Sequence, residues 1–499
     1  MWRKVVMAVS VLAMGIFSAP GWGQDALEEP GHAATADLTQ QEVVALMQDP
    51  EGLQQARTLG LLVFTTPFNT LDGHGDGDYI FGEPPNEFGF GARPTAQGNG
   101  QFLRVGGLDA QSCNECHVFV SHRTLPPTLG IAGVGGAATS AFPGPSLFDV
   151  ADSADDRVFY MPGHVPDLPL DPDGEADYNG RLINPPFLFG GGGVELLGKE
   201  MTQFLQGLLE LARNSPAGVE IPLATPHGVS FGSVTSLGGG DVELDLEGIG
   251  LLEEGLSEEE QLVVRPFGRK GENFSMRDFD RGAMMFHFGI QPVEVFDFDQ
   301  DDDGVDDEIT VAEMTALHTF DVTNPRPVME PLGFEASLGF AKFTLIGCAY
   351  CHRPELWTST RNLPLAHPEV PEDPTANVYA EIDLVEVGFT PNLFGGVRVP
   401  LFADLKRHDM GDDLAESCEG CPISNREFTT ARLWGIADTN PYLHDGRATT
   451  LYEAISMHGG EAEGAKNAFL ALSETNRLRV IKFLRKLRTP ENPNEDILP

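Results

Sequence analysis

Two five-residue segments with the pattern Cys-x-x-Cys-His constrain this chain more than any other feature. They occupy residues 113–117 (Cys-Asn-Glu-Cys-His) and 348–352 (Cys-Ala-Tyr-Cys-His), and they contain four of the six cysteines. Composition alone predicts only about 0.002 matches to this pattern in such a chain. The pattern is the covalent attachment signature of c-type haem. We therefore predict two covalently bound c-type haems.

The spacing within each motif explains how it would hold a haem. Two thiols three residues apart on one turn can add to the two vinyl groups of one porphyrin, and the next residue then projects toward the iron. The predicted attachment residues are Cys113, Cys116, Cys348 and Cys351, and the predicted proximal iron ligands are His117 and His352. A zinc knuckle or a redox dithiol is the alternative, but zinc normally needs a second ligand pair nearby and a dithiol needs no following histidine.

The N-terminus has the features of a secretory signal peptide, which we assign to residues 1–23. A basic start is followed by an apolar run from Val5 to Phe17 and by small residues before Gln24. The apolar run is short for a membrane span, although an uncleaved anchor is the alternative. We expect a periplasmic or secreted protein with no stable membrane span in the mature chain.

The chain is strongly acidic, with 32 basic and 75 acidic residues and a net charge of −43. Such a surface repels nucleic acid and favours basic partners or cations. The two remaining cysteines, Cys418 and Cys421, lack a following histidine, so no third haem is expected. In an oxidising compartment a local disulfide between them is the better interpretation.

An acidic segment near the middle of the chain resembles a calcium-binding loop. Carboxylates at loop positions 1, 3, 5 and 9 are supplied by Asp299, Asp301, Asp303 and Asp307. Gly304 stands at position 6, as in an EF-hand loop. Position 12 is Thr310 instead of glutamate, so Glu308 or Glu313 would have to substitute. A calcium site that fixes the two halves of the chain and an unoccupied acidic linker both stay open.

The distribution of motifs predicts a mainly α protein with two cytochrome c-like haem domains, long loops and minor β-hairpins. The predicted units are an N-terminal catalytic haem domain at 24–290, an acidic linker at 291–330 and a C-terminal electron-transfer domain at 331–499. A helix is expected over 194–213 and a hairpin within 231–251. Ser275, Thr450 and Ser473 are expected to cap helices.

Several segments of the C-terminal half resemble the bacterial di-haem cytochrome c peroxidase superfamily. They are 407–411 (Arg-His-Asp-Met-Gly), 433–435 (Leu-Trp-Gly), 441–451 (Pro-Tyr-Leu-His-Asp-Gly-Arg-Ala-Thr-Thr-Leu) and 457–460 (Met-His-Gly-Gly). Their order is similar to that of the di-haem oxidoreductase branch, whose members are described as peroxidases or thiol oxidoreductases. The resemblance covers both motifs and most of residues 50–490, and it is most specific in the last hundred residues.

The resemblance implies different roles for the two haems. In the peroxidases of this superfamily the N-terminal haem reacts with peroxide, and the C-terminal haem relays electrons from an external donor protein. The relay haem usually has a methionine opposite its histidine, whereas this chain has His458 at that position. We predict His458 as the sixth ligand of the second haem, with Met410 as the rival. Rubber oxygenases are similar in having a bis-histidine C-terminal haem.

The resemblance also suggests an acid–base residue for the first haem. The family's glutamate follows an Arg-Pro-Gly-containing segment that residues 181–195 resemble, so Glu195 is the candidate and Glu200 the runner-up. Peroxide chemistry needs such a group to move a proton between the two oxygens.

Together these features predict a peroxidase-like oxidoreductase that takes peroxide or dioxygen at the first haem and exchanges electrons with a periplasmic donor or acceptor protein. The alternatives are a rubber-oxygenase-like dioxygenase acting on an apolar substrate and a non-catalytic di-haem electron carrier.

Overall fold

The computed structural model of the chain describes residues 29–74, 111–115, 117, 184–185, 187–296, 298–299, 304–416 and 422–497. Some sequence predictions lie outside the described residues. These are the signal peptide at 1–23, Cys116, Asp301, Asp303, Cys418 and Cys421.

Ten α-helices are present in the described part of the chain. They are α1 (Gln40–Met47), α2 (Pro50–Thr65), α3 (Gly191–Arg213), α4 (Glu258–Gln261), α5 (Met276–Ala283), α6 (Val311–Val322), α7 (Phe334–Leu345), α8 (Leu451–Met457), α9 (Glu463–Ala471) and α10 (Glu474–Leu484). A π-helical turn, Met284–Phe288, continues α5. Single 3₁₀ turns cover Cys113–Glu115, Cys348–Tyr350, Asp412–Leu414 and Gly460–Ala462.

The predicted helix starts are confirmed. The hydroxyl groups of Ser275, Thr450 and Ser473 each accept a hydrogen bond from a backbone N–H of the first helical turn. Such a side chain satisfies one of the N–H groups that have no partner within the helix. The helix expected over 194–213 is also confirmed, as the C-terminal part of α3.

The predicted mainly α class is wrong, because the chain is 35% helix and 15% strand and so is a mixed α and β structure. The strands form five small antiparallel sheets within the described residues. They are β1 (Glu220–Ala224), β2 (Ser230–Gly238), β3 (Asp241–Leu246), β4 (Val328–Met329), β5 (Leu356–Trp357), β6 (Asn362–Ala366), β7 (Val378–Asp383), β8 (Thr390–Pro391), β9 (Val397–Val399), β10 (Arg407–Asp409), β11 (Glu427–Thr429) and β12 (Leu487–Arg488). Most of these strands are too short to produce a readable alternation of polar and apolar residues.

The sheets are simple in topology. The hairpin expected within 231–251 is confirmed as β2 and β3, to which β1 adds a third strand. The other sheets are β5-β9-β8, β6-β7, β10-β11 and β12-β4. The β10-β11 pair is important for the candidate site, because it lies beside the second Cys-x-x-Cys-His motif.

Three apolar clusters form the core. The largest combines α3 and the β1-β3 sheet with residues from 356–405, so side chains from both predicted domains share it. A second cluster contains residues 61–68 and 284–320, and Cys113 packs against it. The third joins α7 to residues 442–487, and Cys348 packs against it. Each motif thus has an apolar cluster of its own.

Helix α6 lies within the segment predicted as a linker, yet residues 312–322 are all buried. It crosses α2 at Gly60, and the two backbones are so close there that a Cβ atom on Gly60 would collide with the backbone carbonyl of Ala316. The acidic stretch itself ends before α6 begins. Among the helices that the structure describes, none combines the length and the apolar character needed to cross a membrane.

Candidate functional site

The second Cys-x-x-Cys-His motif lines a cavity of about 640 Å³. Cys348, Cys351, His352 and the predicted ligand His458 all form part of its wall. A volume of this size is in the range that holds a cofactor-sized ligand. The fold therefore brings together the four residues that the sequence predicts for the second haem.

The spacing of the two histidine rings fits a shared metal ion. The ring centres of His352 and His458 are 6.4 Å apart, and the ring planes are inclined at 57°. An imidazole nitrogen binds a metal at about 2 Å and lies about 1 Å from its ring centre, so two ligands on opposite sides of one ion have centres about 6 Å apart. The observed separation matches two axial ligands of one haem iron.

Backbone carbonyls orient both rings. The Nδ1 atom of His352 lies 3.2 Å from the oxygen of Phe402 and 3.1 Å from that of Ala431, and the Nδ1 atom of His458 lies 2.8 Å from the oxygen of Ala454. A proton placed on Nδ1 leaves the Nε2 lone pair of each ring for a metal. Burial, and then the nearby His458, lowers the pKa of His352 to about 4, and burial also lowers the pKa of His458. Both rings are thus neutral, as ligation requires.

The cysteines of this motif are placed for attachment to a cofactor in the cavity. The backbone N–H of His352 donates to the carbonyl of Cys348 at 3.0 Å, which closes the motif into one turn. Burial raises the pKa of the Cys348 thiol to about 11. The Cys348 thiol is therefore protonated at neutral pH before any group is attached to it.

Two further residues of the cavity wall bear on a haem. Met410, the rival ligand, also lines the cavity. Arg432, which the sequence analysis did not identify, lines it as well, and burial lowers the pKa of its guanidinium to about 10. Its contacts are the rings of Phe187 and Phe267 and the carbonyl of Pro266, with no ion pair to a carboxylate among the described residues. A half-buried cation of this kind suits an anionic cofactor such as haem, whose propionates are carboxylates.

The first motif is also formed as a single turn. The backbone N–H of His117 donates to the carbonyl of Cys113 at 2.9 Å. The ring of His117 lies 6.4 Å from those of Phe64 and Phe279, so it is placed against α2 and α5. Cys116, its second attachment residue, lies outside the described residues.

Glu195, the predicted acid–base residue, is fully buried in α3. Its carboxylate lies 2.7 Å from Lys199 Nζ and 3.1 Å from His318 Nε2, and it accepts a hydrogen bond from the N–H of Met276 at 2.9 Å. Burial alone would raise the pKa of Glu195, but the charges of Lys199 and His318 outweigh burial and lower it. The runner-up, Glu200, accepts hydrogen bonds from the N–H groups of Ser359 and Thr360.

A buried pair of carboxyl groups lies near the first motif. Asp280 and Asp321 are hydrogen-bonded to each other and are 6% and 1% exposed. Asp280 directly follows Phe279, whose ring contacts that of His117. Asp321 directly follows Phe320, which packs on Phe64, and Phe64 is the other phenylalanine beside His117. Burial raises the pKa of Asp321 to about 8, and burial together with the charge of Asp321 raises the pKa of Asp280. The pair therefore holds a proton at neutral pH.

This pair predicts a pH-dependent effect of Asp321→Asn on stability. The folded protein retains a proton that the unfolded chain releases above a pH of about 4. The free energy of unfolding therefore falls as pH rises toward 8, by at most about 1.4 kcal/mol per pH unit. The amide that this substitution introduces can donate to Asp280 without taking up a proton. We expect the urea midpoints of the variant and the wild type to be close at pH 5, and we expect the midpoint of the variant to be the higher of the two at pH 8. The exposed Asp241→Asn is the control, and a difference that does not depend on pH would contradict the assignment.

The structure describes only part of the predicted calcium loop. The carboxylate of Asp299 accepts a hydrogen bond from the N–H of Gly304 at 2.9 Å. Thr310, at loop position 12, caps α6. The carboxylate of Glu308 accepts a hydrogen bond from the N–H of Gln291 at 2.7 Å, and that of Glu313 accepts one from the hydroxyl of Thr35 at 2.6 Å. Both glutamates that could complete the loop thus have other partners, and calcium binding by Asp299, Asp301, Asp303 and Asp307 stays a prediction.

Comparison with known proteins agrees with the sequence resemblance. Residues 319–487 match the family described as "Di-haem oxidoreductase, putative peroxidase". This region contains the second motif, both candidate axial histidines and the β10-β11 pair. The predicted resemblance to the di-haem peroxidase-like family is confirmed over this region, and the family implies haem as the cofactor.

Individual relatives are more distant. Cytochrome-c peroxidase IdrP1 of Denitromonas iodatirespirans is 28% identical over 166 residues, which are 32% of this chain and 41% of that protein. The chain thus matches less than half of the length of this relative. Two solved structures are similar at 14% identity: hydrazine synthase of Kuenenia stuttgartiensis (55% of this chain, 78% of that chain, TM-score 0.25) and a MauG-like protein associated with microbial copper homeostasis (59%, 87%, TM-score 0.22). Scores this low support no statement about the fold.

Proposed function

We propose that this protein is a periplasmic di-haem c-type oxidoreductase with peroxidase-like activity. The observation that carries the proposal is the pair of neutral, oriented imidazoles of His352 and His458, 6.4 Å apart in a cavity that Cys348 and Cys351 also line. The family match over 319–487 and the distant relative named as a cytochrome-c peroxidase support it. A periplasmic location is supported by the attachment motifs and the signal-like N-terminus.

The two motifs would serve different purposes in this proposal. A c-type haem supplies a one-electron redox couple and, where its iron has an exchangeable position, a centre that reacts with peroxide or dioxygen. Cys348 and Cys351 would attach the second haem, and His352 and His458 would hold its iron. An iron held by both histidines would have no position free for a substrate, which would suit electron relay. The reaction with peroxide is therefore assigned to the first haem, held by Cys113, Cys116 and His117.

Proton movement at the first haem would involve the buried carboxylate of Glu195, which is retained as the predicted acid–base residue. This carboxylate lies 3.1 Å from His318 Nε2, and its lowered pKa suits it to accept a proton rather than to donate one. Lys199 Nζ also donates to the carbonyl of Pro364 at 2.7 Å, which holds the Lys199 side chain beside Glu195. Electrons would come from a periplasmic donor protein.

The test is spectroscopy of the purified protein carrying both haems. We expect two haems per chain, and we expect hydrogen peroxide to change the spectrum of one haem while the other stays low-spin. Peroxide consumption with a reduced artificial electron donor should accompany this change. A Cys348→Ser/Cys351→Ser double variant should hold one haem and lose turnover with the external donor.

Other outcomes would reject the proposal in distinct ways. Two inert six-coordinate haems in every redox state would leave only an electron carrier. Reaction with dioxygen and incorporation of oxygen into an apolar substrate, without peroxide turnover, would favour the rubber-oxygenase-like alternative. A protein that binds no haem would remove the basis of all three functions.

A further inference from the structure

A charged cluster at the rim of the second cavity connects the predicted ligand His458 to the β10-β11 sheet. His408 lies on β10, and its Nδ1 and Nε2 atoms lie 2.7 Å from the carboxylate of Glu461 and 3.0 Å from that of Asp404. Glu461 also accepts a hydrogen bond from the N–H of Asp409 at 3.0 Å. Both carboxylate oxygens of Glu461, three residues after His458, are therefore held by β10.

The backbone between His458 and Glu461 fits closely against the same strand. A Cβ atom on Gly459 would lie 2.7 Å from the carbonyl oxygen of Met410, and one on Gly460 would collide with the carbonyl of Asp409. Gly460 also has a φ of 51°, which side chains other than glycine rarely adopt. The two glycines let the turn after His458 lie directly on the end of β10, where Glu461 fastens it.

The other partner of His408 leads to the proximal ligand. Asp404 is 3% exposed, and its second oxygen accepts from the hydroxyl of Thr430 at 2.7 Å and the N–H of Lys406 at 3.1 Å. Two residues earlier in the chain, the carbonyl of Phe402 contacts the Nδ1 atom of His352. The segment 402–408 thus orients His352 at one end and contacts the turn that follows His458 at the other.

We propose that His408 and Glu461 are positioning residues that keep His458 on the iron of the second haem. This inference rests on the proposed function, in which His352 and His458 are the axial ligands. His408 donates from both ring nitrogens to Asp404 and Glu461, and the charged hydrogen bond to Glu461 prevents the turn from moving away from the cavity. Without it the turn keeps only its backbone packing, and His458 exchanges with external ligands.

The charge state of His408 is consistent with this role. Burial alone would lower the pKa of His408, but the carboxylate of Asp404 and then the thiol of Cys351 raise it to about 11. Cys351, Asp404 and His408 are also close enough together to bind a metal ion. Both nitrogens of His408 are already directed at carboxylates, however, and Cys351 is an attachment residue in the proposed function.

The test measures how fast cyanide displaces His458 from the second haem in the intact protein. Glu461→Ala and His408→Ala should each accelerate displacement roughly three- to tenfold, because a partly exposed hydrogen bond between charged groups is lost. Glu461→Asp, which retains the carboxylate, should fall between wild type and Glu461→Ala. Glu463→Ala is the matched control. Among the residues that the structure describes, the Glu463 side chain pairs with Lys466 at 3.7 Å and not with β10, so this substitution removes the same charge without disturbing the strand.

His458→Ala separates the two levels of the inference. If this variant keeps the low-spin spectrum of the second haem, the ligand assignment fails and the proposed function must be revised. If His458→Ala loses that spectrum while Glu461→Ala and His408→Ala bind cyanide no faster than Glu463→Ala, the positioning role alone is overturned. Glu461 is about half exposed, so its variant tests the idea even if His408→Ala does not fold.

Discussion

Replacing Arg277 with methionine is expected to lower the free energy of unfolding by about 3–5 kcal/mol, because it leaves a buried carboxylate without its main partner. Arg277 and Glu294 have side chains that are each 1% exposed, and Nη2 lies 2.6 Å from the carboxylate. The guanidinium also donates to the hydroxyl of Thr315 at 2.9 Å and to the carbonyl of Val311 at 3.3 Å. It therefore ties α5, beside the first motif, to the start of α6.

Two variants test the cause of this loss. Arg277→Met/Glu294→Gln removes the stranded charge as well, so it should recover part of the stability that the single variant loses. Arg398→Met breaks an exposed ion pair with Glu355 and should cost less than about 1 kcal/mol. Urea unfolding followed by circular dichroism gives all three values. A loss for Arg277→Met no larger than that for Arg398→Met would show that the buried pair adds nothing.

Much of the second site could be predicted from the sequence, because its chemistry is carried by a short motif and by helix signals. The Cys-x-x-Cys-His pattern identifies Cys348, Cys351 and His352 locally. Thr450 marks the start of α8 and the glycines after it mark the end, so His458 is placed at a helix terminus. The pairing of His458 with His352 was predicted from the family resemblance, and the 6.4 Å between their ring centres agrees with it.

Other parts of the molecule could not be predicted, since they depend on contacts between distant segments. Arg432 carries no local signal, and only the fold shows that it lines the cavity without a carboxylate partner among the described residues. Asp321 has a weak signal, an acidic residue within the apolar helix α6, but its partner Asp280 is on another helix. The pairings of β12 with β4 and of β5 with β9 each span only two residues and leave no periodicity to detect, which is why the mainly α expectation failed.

Replacing His458 with methionine is expected to have the largest effect on the second haem. Two imidazoles hold iron at a lower potential than one imidazole and a thioether, so the midpoint potential should rise, on the order of 0.1 V or more. This substitution also restores the methionine that the family resemblance implies at position 458, so it tests what the histidine contributes in this chain. If the second haem relays electrons as proposed, a lower midpoint potential favours transfer to acceptors of higher potential, so this histidine would bias the direction of transfer. Redox titration of the variant and the wild type gives the shift directly.

The matched control for this variant is another histidine of the same cavity. His444 lines the cavity and stacks on Phe428 with ring centres 4.4 Å apart, but its ring is not paired with that of His352. His444→Met should leave the potential within a few hundredths of a volt of wild type, since it changes no ligand. Comparing His458→Ala with His458→Ala/Met410→Ala then shows whether Met410 takes the position that His458 leaves. A large shift in His444→Met, with none in His458→Met, would transfer the ligand role to His444.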